Sequence, residues 1–169
     1  MGRLQFSHGL NIVITTTFVS LLAMPIVGPA LPVVQEKFGI SNRDIGWVVM
    51  SAYTLPALIF VPIFGYLADR FSKKAVLLPT MILFSLCGGA ISLAPNTETI
   101  IALRFLQGIG ASAIATLNIA LVPDLFSGRD RLTVMGWTGV VQGIGSGVLP
   151  LIGGLLAFLI WYLPFMAAL

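Results

Sequence analysis

Residues 65–74 read GYLADRFSKK and decide the fold, because they place a cluster of charges between two long apolar runs. No formally charged residue occurs in Ile45–Ala68 or in Ala75–Thr97. An α-helix needs about 20 apolar residues to cross a hydrocarbon core of about 30 Å. The stretch therefore predicts a short loop that joins two transmembrane helices.

Composition supports a membrane environment for the whole chain. Hydrophobic residues make up 57% of the sequence and charged residues 9%, and the mean hydropathy is +1.02. Soluble domains are about 45–50% apolar and about 25% charged. A water-soluble fold could not bury this much apolar surface, so we expect the lipid bilayer to be the partner of most of the surface. The net charge of +3 comes without a basic stripe, which excludes a nucleic-acid partner.

Enzyme activity is not expected. The single cysteine, Cys87, lies in mid-span, and the single histidine, His8, lies near the N-terminus. The sequence has no nucleophile–base pair, no cluster of metal ligands and no phosphate-binding loop. We therefore expect no catalytic residues, no cofactor and no metal.

Read along the chain, the charge-free runs predict an all-α membrane protein. We expect one transmembrane domain, residues 1–169, that forms a helical bundle of five transmembrane helices plus the start of a sixth. The first run could also be a signal peptide, but its apolar core is too long and only Arg3 precedes it, which favours a retained helix. The predicted spans are about 11–34, 45–68, 75–96, 99–123 and 132–157, with a stub at 162–169 after a tight turn around Trp161–Pro164.

Basic residues predict the orientation. One side collects Arg3, Arg70, Lys73, Lys74, Arg129 and Arg131, and the other has Lys37 and Arg43. The positive-inside rule then places the N-terminus in the cytoplasm. We expect a multi-pass protein of the cell inner (plasma) membrane.

The loop GYLADRFSKK resembles the signature between helices 2 and 3 of the major facilitator superfamily, with Ser72 in place of the usual second glycine. Gly65 would allow close helix approach, and Asp69 could pair with Lys73 four residues later if the segment is helical. The resemblance implies a cytoplasmic gate that favours the outward-open state. Its candidate residues are Gly65, Asp69, Arg70, Lys73 and Asp124.

The fourth span opens with residues 103–111, LRFLQGIGA, which resemble the arginine-x-x-glutamine-glycine motif of the same family. An arginine within a span is costly, so Arg104 should face the bundle interior and a polar partner or water. The alternative is that it snorkels to the outer interface. The resemblance implies a role for Arg104 in proton coupling.

The fifth span resembles the antiporter motif of the family, although Leu149 replaces the glycine before the proline. Glycines four residues apart form a groove for close helix contact, and a proline kinks the span. The alternative is an ordinary packing helix. The residues of the predicted packing surface are Gly139, Gly143, Gly147, Pro150, Gly153 and Gly154.

The first span departs from the family pattern. Residues 22–32, LAMPIVGPALP, resemble a drug-antiporter segment that often has an aspartate where this chain has Ala23. No acidic residue lies inside any predicted span. A proton carrier needs a titratable acid in the membrane, so that acid lies in a second half, or the protein does not couple to protons as its relatives do.

Two functions remain open at this point. The first is half of a transporter that exports small amphipathic compounds by alternating access, completed by a second half or a second copy of the chain. The second is a non-transporting subunit that acts as a scaffold in a larger membrane complex. For the transporter, the candidate residues of the substrate cavity are Thr17, Ser20, Met24, Tyr53, Arg104, Gln107, Asn118 and Gln142.

Overall fold

The structure is a computed structural model that describes residues 3–41 and 45–167, with the side chains of residues 3–5 and 47–49 excepted. The predicted outward charge Arg43 and the side chain of Arg3 lie outside the described residues. The model is 87% helical, and the described residues contain no β-strand. The helices are α1 (Arg3–Leu21), α2 (Leu31–Phe38), α3 (Ala52–Arg70), α4 (Lys73–Ala90), α5 (Thr97–Leu125), α6 (Gly128–Leu159) and α7 (Leu163–Met166).

Helices α3 to α6 correspond to the second to fifth predicted spans. By length and composition each can cross a membrane, with α4 counted through Leu93, and α1 contains a shorter apolar helix, Phe6–Leu21. The all-α fold class is confirmed. The assignment of one transmembrane domain and the cytoplasmic N-terminus stay predictions.

The first predicted span, 11–34, is wrong as one continuous helix. Helix α1 already begins at Arg3, ends at Leu21, and is followed by turns and a 3₁₀ segment, Gly28–Ala30, before α2. Pro25 has no N–H group, so it cannot donate to the carbonyl of Leu21, and this ends the helical ladder. The first span is therefore a broken helix.

In the second span, predicted from 45, a π-helical segment, Gly46–Ser51, precedes α3. The other boundaries differ by a few residues. The fifth span begins at Gly128 rather than at 132, so the two basic residues of that loop lie in the first turn of α6. The side chain of Asn96 accepts a 2.9 Å hydrogen bond from the backbone N–H of Thr99 and caps the start of α5. The structure turns at residues 160–162 and α7 then occupies part of the predicted stub.

Helix α5 lies at the centre of the bundle, where it contacts α1, α3, α4 and α6. Two of its glycines face different neighbours. A Cβ atom on Gly108 would overlap the carbonyl oxygen of Tyr53 on α3. A Cβ atom on Gly110 would lie 2.8 Å from the carbonyl oxygen of Thr80 on α4. Only glycine allows backbones to approach this closely. The small residues of α5 therefore bring α3 and α4 against it.

Helix α6 packs against the first span through Gly153, which belongs to the predicted set, and Gly145, which does not. A Cβ on Gly153 would overlap the carbonyl oxygen of Ile26 in the break, and one on Gly145 would lie 2.6 Å from the Leu21 Cδ1 atom. No described atom outside the helix's own turns lies within 4 Å of the Cβ positions of the predicted packing glycines Gly139, Gly143 and Gly147.

The predicted and observed packing glycines differ because they lie on different faces of α6. Gly143 and Gly145 are two residues apart and therefore about 200° apart around the helix. The face that carries Gly145 meets the first span, so the opposite face, with the regular glycine spacing, is exposed on this chain. Of the predicted motif, Gly153 lies at the contact, Gly154 would place a Cβ 3.6 Å from the Cβ of Pro29, and Pro150 lies inside α6.

Candidate functional site

The largest fully buried side chain of the described residues belongs to Arg104, which is 1% exposed. Its Nη1 donates to the backbone carbonyl of Ala23 at 3.2 Å and to Oε1 of Gln107 at 3.0 Å. Its Cζ lies 4.7 Å from the ring centroid of Phe165 and 5.7 Å from that of Tyr53. The guanidinium thus faces the bundle interior and does not reach an interface by snorkelling.

The partners of Arg104 carry no formal negative charge. Among the described residues its guanidinium forms no salt bridge, and its Nε is buried without a hydrogen-bond acceptor. Carbonyl dipoles and aromatic faces stabilise the cation instead. The carbonyl of Ala23 is available because the helix is broken there.

A second buried polar contact joins α1 to α5. The Asn118 amide nitrogen donates to Oγ1 of Thr17 at 2.7 Å. The Thr17 hydroxyl donates in turn to the carbonyl of Val13 at 2.8 Å. One turn further on, the Ser20 hydroxyl donates to the carbonyl of Thr17 at 2.6 Å. These contacts place polar groups in an apolar interior, where each needs a partner.

Two clefts flank α5. One of about 400 Å³ lies between α1, α3 and α5, and its polar lining comes from Ser20, Tyr53, Thr54 and Ser112. The other, of about 110 Å³, lies between α5 and α6. Its lining consists of Asn118, Ile119, Val122, Pro123, Arg131, Met135, Thr138 and Gln142.

The eight predicted cavity residues therefore do not form one cavity within the described chain. Ser20 and Tyr53 line the larger cleft, whereas Asn118 and Gln142 line the smaller one. The remaining four are buried or partly buried: Thr17 beside Asn118, Arg104 with Gln107, and Met24 against the core near Tyr53.

Sequence reasoning missed several residues of these sites. Ser112 lines the larger cleft, and Thr138 and Arg131 line the smaller one. The spacing of four residues between Thr138 and Gln142 would have placed both on one face of α6. The contact of Phe165 with Arg104 had no local signal, because the two residues are distant in sequence.

At the predicted cytoplasmic gate, Lys73 forms a salt bridge with Asp124, which joins the start of α4 to the end of α5. The side chains are 19% and 51% exposed, respectively. The expected pair between Asp69 and Lys73 is wrong. Phe71 and Ser72 are extended and interrupt the helix, so the spacing of four residues no longer brings these two side chains together.

The other gate residues have local roles in this chain. The Arg70 guanidinium donates to the hydroxyl of Tyr66. No described atom lies within 4 Å of a Cβ built on Gly65, apart from its own helix turns, so no close approach occurs there. Ser72, which departs from the family pattern, accepts from the backbone N–H of Ala75 at 3.4 Å and caps α4.

At the opposite end of the bundle, a cation and aromatic rings connect the first span to the segment after α6. The Lys37 Nζ atom lies 4.1 Å from the ring centroid of Trp161. Phe38 contacts the same ring edge-to-face at a centroid distance of 5.3 Å. Together with the contact between Phe165 and Arg104, these residues link the end of the bundle to its centre.

Comparison with known proteins identifies the family. The model of the Major Facilitator Superfamily matches residues 13–169. The chain is 34% identical over 145 residues to the bacillibactin exporter of Bacillus subtilis (strain 168), which covers 81% of this chain and 36% of the relative. It is 31% identical over 153 residues to the chloramphenicol resistance protein CraA of Acinetobacter baumannii, covering 89% and 36%.

A fungal relative gives the same result. The MFS-type efflux pump LUC4 of a Fusarium species is 34% identical over 142 residues, which cover 84% of this chain and 25% of the relative. The chain thus spans between a quarter and about a third of the length of these relatives. Together with its apolar helices, these matches show a multi-pass membrane protein. The chain belongs to the Major Facilitator Superfamily.

Proposed function

We propose that this chain forms part of an exporter of small amphipathic compounds that works by alternating access. The observation that carries the proposal is the cleft of about 400 Å³ beside α5. Its volume lies within the range of about 300–1,000 Å³ that is typical of small-molecule sites. A few hydroxyl groups in its otherwise apolar wall suit an exported compound that has both polar and apolar parts.

The salt bridge between Lys73 and Asp124 supports a gating role. It joins two helices at one end of the bundle, and its partners are partly exposed. A pair of this kind contributes only about 0.2–1 kcal/mol. It can therefore hold one conformation and still break in each transport cycle.

Alternating access requires two bundles that move around a central site. We infer that the second bundle comes from the rest of the protein or from a second copy of this chain. An acid that couples proton movement would have to come from there as well, since no Asp or Glu lies inside the predicted spans. The scaffold alternative gains no support from the relatives, which are named as exporters and efflux pumps.

A resistance assay tests the proposal. The complete coding sequence is expressed in an efflux-deficient host, and growth is measured in chloramphenicol and a panel of amphipathic drugs. We expect raised tolerance for some compounds and its loss in Arg104→Ala, because this substitution removes the buried cation and both of its hydrogen bonds.

The matched control is Thr116→Val on the same helix. The Thr116 hydroxyl donates only to the carbonyl of Ser112 in its own helix, so we expect unchanged tolerance. If the folded wild-type protein in the membrane changes tolerance to none of the compounds, the export proposal is wrong. Full tolerance in Arg104→Ala would remove that residue from the mechanism.

A further inference from the structure

The orientation of the Asn118 amide is fixed by its neighbour. The hydroxyl of Thr17 has one proton, and this proton is already donated to the carbonyl of Val13. Oγ1 therefore accepts from Asn118, and the amide nitrogen faces Thr17 in the structure. The amide oxygen, Oδ1, consequently points away from α1.

Oδ1 of Asn118 is left without a donor. The residue is 8% exposed, and no described group donates a hydrogen bond to this buried oxygen. Buried amide oxygens in folded proteins nearly always have a partner, and an exception calls for a bound group or a functional reason. The same residue lines the cleft of about 110 Å³ between α5 and α6.

The chemistry of this cleft selects the kind of donor. Thr138 already donates its proton to the carbonyl of Met135, which leaves its oxygen as a second acceptor. Arg131 lines the same cleft and repels cations. A charged group would also lose its hydration in this mostly apolar surrounding. The cleft therefore favours an uncharged donor.

The volume limits the size of that donor. A water molecule takes about 30 Å³ in the liquid, so a cleft of about 110 Å³ has room for about four waters or for one small group of a larger compound. An amide, a sulfonamide or a hydroxyl group meets this limit. A whole drug-sized molecule does not, and the rest of it would lie outside the cleft.

We propose that the cleft between α5 and α6 is a subsite that receives an uncharged hydrogen-bond donor of the exported compound at Oδ1 of Asn118. The inference rests on the proposed export function. The same oxygen could be satisfied by a bound water alone, and the test separates these two donors.

The test measures binding of two uncharged fluorescent probes, dansylamide and its N,N-dimethyl derivative, to the complete protein purified in detergent micelles. Only the first has sulfonamide N–H groups. We expect the wild type to bind dansylamide about tenfold more tightly, the effect of one hydrogen bond to a buried acceptor. The readout is the dissociation constant from the environment-sensitive dansyl emission.

Two variants identify the acceptor. Asn118→Leu removes Oδ1 and should bind both probes equally, whereas Thr116→Val should keep the tenfold preference. A preference that came only from the size of the two methyl groups would persist in Asn118→Leu and would overturn the proposal. Equal binding by the wild type, as a water-filled cleft would give, or no binding of either probe would overturn it as well.

The resistance assay keeps the two proposals distinguishable. Drug tolerance without a probe preference would refute the subsite and leave export intact. A probe preference that depends on Asn118, found without drug tolerance, would refute export and leave a donor-binding cleft.

Discussion

The contact between α6 and the broken first span predicts a large effect for Gly153→Ala. A Cβ at this position would overlap the carbonyl oxygen of Ile26 and would lie 2.7 Å from its carbonyl carbon and 2.9 Å from its Cα. All three are backbone atoms, so no rotamer change relieves the overlap. Either α6 or the break must move, and overpacking of this kind costs about 1–3 kcal/mol.

A matched substitution on the same helix separates this cost from helix propensity. Replacing glycine by alanine within a helix gains about 0.5–1 kcal/mol, and both Gly153→Ala and Gly143→Ala receive this gain. No described atom outside the helix's own turns lies within 4 Å of a Cβ at Gly143. The difference in unfolding free energy between the two variants should therefore equal the steric cost, about 1–3 kcal/mol.

The assay is equilibrium unfolding of residues 1–169 by sodium dodecyl sulfate in dodecylmaltoside micelles, followed by far-ultraviolet circular dichroism. A difference of this size changes the unfolding equilibrium about 5- to 150-fold. Equal unfolding free energies for the two variants would show that α6 does not press on the break, and the packing described for this helix would be wrong.

Three further perturbations test other contacts of the bundle. A double-mutant cycle with Lys73→Gln and Asp124→Asn should give a coupling of about 0.2–1 kcal/mol that shrinks in 1 M salt; zero coupling at low salt would contradict the salt bridge. Lys37→Met should lower the unfolding free energy by about 0.5–1 kcal/mol, and this loss should vanish in a Trp161→Leu background if the cation–ring contact causes it. Gly110→Ala should lower the unfolding free energy by about 1 kcal/mol in the same assay, because its Cβ would lie 2.8 Å from a backbone oxygen of α4. A gain in stability would show that α4 shifts to make room for the added methyl group.

The sequence predicted the helices well where charged residues lie at their ends. Asp69 and Lys74 flank the loop between the second and third spans, and the observed helices end and begin within a few residues of the prediction. A charge cannot enter the hydrocarbon cheaply, so its position limits a span from outside. The break in the first span lies far along the sequence from any charged residue, and hydropathy alone cannot locate it.

The glycines of α6 show why the packing surface was harder to predict. Regular spacing shows that Gly139, Gly143 and Gly147 share a face, but it does not reveal what that face meets. The contact with the first span uses Gly153 of the predicted set and Gly145 on another face. Which side of a helix turns toward a neighbour depends on the rotation of the whole helix in the bundle, which is a tertiary property.

The position of Arg104 was predictable, because a guanidinium inside a span must find polar partners in the interior. Its partners were not. The prediction named only a polar partner or water, whereas one acceptor is a backbone carbonyl and the ring of Phe165 covers the group from another segment. Backbone acceptors have no sequence signature, since every residue has a carbonyl group.

The break in the first span and the buried Arg104 form one feature. The prolines interrupt the backbone ladder, and the carbonyl of Ala23 then accepts from the guanidinium. The antiporter segments that this stretch resembles often have an aspartate where this chain has Ala23, and here the backbone carbonyl of Ala23 contacts the cation. A dipole carries no formal charge, so no described residue neutralises the guanidinium. We therefore expect an acid that pairs with Arg104 to come from outside the predicted spans of this chain, which contain no Asp or Glu.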